Sequence, residues 1–97
     1  MKIYSDKDLS KEVSILDLGI VLAGETKKFT FYVENNSSAH IKNLEFTVSH
    51  PEVEVMEAPE ELSAFTSDKL IIKWSPSITL KEGLKAQLDI KGVEIWG

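Results

Sequence analysis

The side chains able to do chemistry here are carboxylates, two histidines and scattered hydroxyls, and there is no cysteine among the 97 residues. Seven carboxylates (Glu45, Glu52, Glu54, Glu57, Glu60, Glu61 and Asp68) fall between Asn43 and Asp68 without one lysine. Such a run can dock on a basic partner or attract a divalent cation. It can equally be a solvated face that keeps a β-edge from pairing with its neighbours. No D-x-[DN]-x-[DN]-G calcium loop is present. Glycoside hydrolysis needs two carboxylates roughly 5–10 Å apart in a cleft, and nothing in the spacing marks such a pair. His40 and His50 have no third ligand at metal-site spacing and read as surface histidines. A serine triad needs a base oriented by a carboxylate beside an activated hydroxyl, and no nucleophile elbow is present. These residues predict no enzyme, no metal and no cofactor.

Charge narrows the partners further. The net charge is −5, and all eleven cationic side chains are lysine. Duplex binding relies on lysine and arginine neutralising phosphates, and arginine is the side chain suited to bidentate recognition. Nucleic acid is therefore not an expected partner, and anionic membrane surfaces are disfavoured for the same reason. No stretch approaches the roughly 20 apolar residues that span a bilayer. The polar run Met1–Asp8 lacks the apolar segment of a secretory signal, so synthesis and folding are expected in the cytoplasm.

The elements that must position any site are strands. Leu84, Ala86, Leu88 and Ile90 alternate with Lys85, Gln87, Asp89 and Lys91, a period-two split that a strand presents to core and water. Similar alternation places Phe29, Phe31 and Val33 inward before an Asn35-Asn36-Ser37-Ser38 turn. Leu44, Phe46 and Val48 form the next inward set, and Leu70, Ile72 and Trp74 a later one. Val53 and Val55 make a short strand, and Leu62 and Phe65 are expected to tack the irregular stretch 57–67 to the core. A phase shift between Val13/Ile15 and Leu16/Leu18 suggests a bulge or a change of sheet. Gly92 is expected to turn the chain into a last short strand with Val93 and Ile95 inward. Residues 1–11 read as a flexible N-terminal arm or loosely attached first strand, and 12–97 as one domain. About seven antiparallel strands with no long helical period predict an all-β, immunoglobulin-like sandwich without a disulfide.

Leu16-Asp17-Leu18-Gly19, then Ala23-Gly24-Glu25, the strand Lys27–Val33 and Asn35-Asn36 resemble the opening of major-sperm-protein and cilia-associated Ig-like domains. The likeness covers residues 15–36, and small Ig-like accessory proteins of bacteriophage particles are similar in kind. The resemblance implies a non-catalytic scaffold, adhesion or accessory module.

Tyr32 and Trp96 fall on the outward phase of their strands, with Ile71 a weaker third. Tyrosine and tryptophan are enriched at binding hot spots, so these three residues are the candidates for partner contact. The alternative for Trp96 is that it folds back over a sheet edge. The expected function is a structural or binding module attached to a larger protein assembly, with a virion decoration or accessory protein, and hence a virion location, placed first. A cellular adaptor of the sperm-protein-like kind and a carbohydrate-binding module are the alternatives, and homo-oligomerisation is compatible with each.

Overall fold

The computed structural model describes residues 1–96. Its elements are β1 (Lys2–Tyr4), β2 (Leu16–Gly19), β3 (Lys27–Glu34), β4 (His40–Val48), β5 (Val53–Glu57), β6 (Ser67–Trp74), β7 (Leu84–Ala86) and β8 (Leu88–Ile95). All pairings are antiparallel: one four-stranded sheet in the order β1-β3-β6-β5, and two two-stranded sheets, β2-β7 and β4-β8. None of the described residues is helical, so no helix is long and apolar enough to cross a membrane.

The alternation read from the sequence sets the core. Phe31 and Val33 of β3 and Leu70, Ile72 and Trp74 of β6 are buried, and the register brings Phe31 opposite Leu70 and Phe29 opposite Ile72. Residues directly opposite share a face, so these pairs build one continuous apolar surface. Leu16 and Leu18 of β2 and Leu84 and Ala86 of β7 complete the same buried cluster. From the third sheet Phe46, Val48, Leu88 and Ile90 pack against it while remaining partly buried. Trp74 is the largest fully buried side chain, met edge-on by the His50 ring at 6.3 Å between centroids.

Among the described residues Asn35 is the one buried side chain that is neither apolar nor aromatic, and its hydrogen bonds explain why it is tolerated. Its Nδ2 donates to the carbonyls of Ala39 (2.7 Å), Leu62 (3.1 Å) and Ser63 (3.1 Å), and its Oδ1 accepts from the Ser37 amide and hydroxyl. The turn after β3 is thereby tied to the stretch before β6. Within that stretch Leu62 is buried and bridges to Ile41, whereas Phe65, expected to pack on the core, is exposed.

The C-terminal third departs from the sequence expectation. The continuous strand 84–91 changes partner at Gln87, pairing with β2 before it and β4 after it. Gln87 donates its amide to Ser49 Oγ and accepts from the Ser49 amide, both at 2.9 Å, which begins the β4 ladder. Gly92 does not turn the chain; β8 runs through it to Ile95. Across from Gly92 the register slips by a bulge between Lys42 and Glu45, where Asn43 has φ 53°. A Cβ at Gly92 would stand 2.7 Å from Ile41 Cγ2 and 2.9 Å from Leu44 Cδ2, so a methyl there requires those side chains to shift. Because the strand is unbroken, Val93 and Ile95 share the solvent-facing phase of Asp89 and Lys91, and both are exposed. The inward assignment of Val93 and Ile95 is therefore corrected.

At the other end, Lys2–Tyr4 is an edge strand in register with Tyr32–Glu34. Tyr4 is buried and donates its hydroxyl to Glu34 Oε1 at 3.2 Å. Burial together with the neighbouring Glu34 pushes the Tyr4 phenol above its ordinary pKa. The turn that follows is organised by Asp6, whose carboxylate accepts the amides of Ser10 (3.1 Å) and Lys11 (2.8 Å) and the Ser10 hydroxyl.

Candidate functional site

The three residues singled out for partner contact fall on two sheets. Tyr32 lies opposite Tyr4 and Lys69, and Ile71 lies opposite Thr30, so Tyr32 and Ile71 are diagonal neighbours on the outer face of the four-stranded sheet. Both are half-buried. Trp96 is 63% exposed and sits just past the end of β8. The structure thus joins Tyr32 to Ile71 and leaves Trp96 with the β4–β8 pair.

The acidic run does not form one face. Glu54 Oε2 sits 3.5 Å from Lys73 Nζ, Glu52 Oε2 accepts the Ser77 amide at 3.0 Å, and Glu45 lies opposite Lys91. Glu61 Oε1 stands 3.5 Å from His40 Nε2, and His50 Nδ1 accepts the Glu52 amide at 3.2 Å. Glu45, Glu60 and Glu61 line one shallow depression with Asn43 and Leu44. Among the described residues no three histidine, aspartate or glutamate side chains gather as metal ligands.

The more distinctive feature is an edge that the sequence analysis did not single out. β8 pairs with β4 along one side only, and none of its residues is fully buried. Beside its other side runs a groove of about 410 Å³ between the inner face of β4–β8 and the start of β1. Met1 and Ile3 at the start of the chain, Ile41 and Leu44 of β4, and Leu88, Ile90, Gly92 and Glu94 of β8 line it. Glu94 is the one charged side chain in that lining. No signal in the sequence marks it: the even-numbered apolar phase stops at Ile90, and past Gly92 the apolar residues of β8 are the odd-numbered Val93 and Ile95.

Comparison of the chain with protein-family models, with curated proteins and with solved structures gives no match.

Proposed function

We propose that this chain is a non-catalytic binding module on an immunoglobulin-like sandwich, attached to a larger protein assembly, for which a virion is the first choice. The strand order supports the architecture. In an immunoglobulin-type sandwich strands A, B, E and D form one sheet and C, F and G the other. With β2 and β7 set aside, β1, β3, β6 and β5 follow the chain order of A, B, E and D, and β4 and β8 that of C and F, with no strand in the place of G among the described residues. The observation that carries the binding role is the exposed apolar end of β8, where Val93, Ile95 and Trp96 are 53%, 45% and 63% exposed in close succession. Aromatic residues contribute most strongly to interfaces when a partner desolvates them.

Sedimentation of the tagged chain from its source cells tests this reading. The wild-type chain is expected with the large-particle fraction, and Trp96→Ala in the small-protein fraction with an unchanged thermal midpoint. A loss of about 2 kcal/mol in association corresponds to a hot-spot tryptophan. A wild-type chain that sediments alone as a small protein overturns the reading.

A further inference from the structure

From Leu88 to Ile95 the side of β8 away from β4 has no main-chain partner among the described residues. Successive residues of an antiparallel strand direct their N–H and C=O groups to alternate sides. Gln87 bonds Ser49, so the odd-numbered Asp89, Lys91 and Val93 face β4. Leu88, Ile90, Gly92 and Glu94 consequently offer their donors and acceptors to the open side. Their side chains take the inward phase, along the groove whose far wall includes Ile3. Main-chain bonding capacity and an apolar trough thus belong to the same four residues.

We propose that this slot receives an extended segment of another polypeptide, which adds as a strand to β8, lays apolar side chains into the groove at alternate positions, and places a lysine against Glu94. The inference rests on the reading of the chain as a binding module and names how it binds. Added strands gain affinity from main-chain hydrogen bonds and specificity from pockets for alternate side chains. Charge decides between occupants. If a second copy paired through the same side, its own even-numbered residues would meet those of the first, because only they have free main-chain groups there. Those residues are Leu88, Ile90, Gly92 and Glu94, so Glu94 would meet an apolar side chain, the bare Gly92 or another carboxylate, and never a cation. An inward-pointing charge of this kind guards an edge against self-pairing. A strand carrying lysine at that position satisfies it.

The test uses the full chain and two synthetic peptides matched in length to Leu88–Glu94. Each alternates valine with threonine; one has a lysine at the valine-phase position opposite Glu94, and its twin has a glutamate there. On adding the lysine peptide, amide exchange at Leu88, Ile90, Gly92 and Glu94 is expected to slow about tenfold or more, with little change at Asp89, Lys91 and Val93. The lysine peptide is expected to bind about tenfold more tightly than its twin, and Glu94→Lys to reverse that preference. Absence of binding at millimolar peptide, protection confined to the odd-numbered amides, or an unchanged preference in Glu94→Lys overturns the proposal. Protection of the even-numbered amides that grows with protein concentration alone assigns the edge to a second copy and overturns it as well. If the slot fails while Trp96→Ala still releases the chain from the particle fraction, strand addition is lost and the binding-module reading stands.

Discussion

The β3–β6 pair and the β4–β8 pair are built from strands of similar length but are used differently. β3 and β6 stay in register without interruption from Lys27↔Trp74 to Glu34↔Ser67, and β1 and β5 flank them on either side. Alternate residues on both strands are buried there. The β4–β8 pair has a bulge between Lys42 and Glu45, an unflanked side and no fully buried residue on β8. Pairing alone therefore does not make a core. Stability concentrates where a pair is flanked and covered, whereas β8 has main-chain groups without a partner on the side away from β4 among the described residues.

Substitutions sharpen or break this contrast. Trp74→Ala and Phe31→Ala remove buried aromatic side chains from the flanked pair and are each expected to cost about 3–5 kcal/mol in denaturant unfolding. Losses below about 1 kcal/mol at both positions would mean that the faces of β3 and β6 are inverted. Asn35→Ala leaves the Ala39, Leu62 and Ser63 carbonyls without their shared donor. It is expected to cost about 1–3 kcal/mol for each buried group not rehydrated. Gly92→Ala tests the other pair, because the new methyl meets Ile41 and Leu44 within 3 Å. Overpacking of this kind costs about 1–3 kcal/mol, and a neutral result would show that β4 yields easily at its bulge.

Val93→Thr, on the exposed face of β8, is expected to change stability by no more than about 0.5 kcal/mol. A larger loss would mean that this face is covered and that the contrast between the pairs fails. The smallest effect concerns acid. The Ser10 hydroxyl bond, followed by amides from Lys11 and Ser10, holds the Asp6 carboxyl below its ordinary pKa. Its contribution is present above the unfolded pKa of about 3.9 and is lost as pH falls through the lower folded value. Carboxyl and amide shifts of residues 5–11 followed by NMR during acid titration check this, and Asp6→Asn should abolish that transition.

The strands were legible because their period was two: Phe31, Val33, Leu70, Ile72 and Trp74 alternate cleanly and are buried as the alternation predicts. Partner choice was not legible. Nothing local distinguishes Ala86, which pairs with Leu16, from Leu88, which pairs with Val48. Gly92 misled because a glycine between alternating runs usually marks a turn, whereas here it relieves contact with the bulged β4. That misreading put Val93 and Ile95 inward, where the structure exposes both. Tyr32 and Ile71 were each read as outward from their own strands, but their adjacency arises from long-range register that one strand does not encode.

The change of partner at Gln87 has a mechanical consequence. The single run from Leu84 to Ile95 is paired first with β2 and then with β4. A pull on Trp96 along that run loads both ladders parallel to the strands, where bonds perpendicular to the force must fail together rather than one after another. A module tethered near Trp96 would resist such tension collectively, passing the load through Gln87 into both flanking strands. Single-molecule pulling along β8 is expected to need more force than peeling it away sideways, and an equal or lower force would show that the two ladders rupture independently.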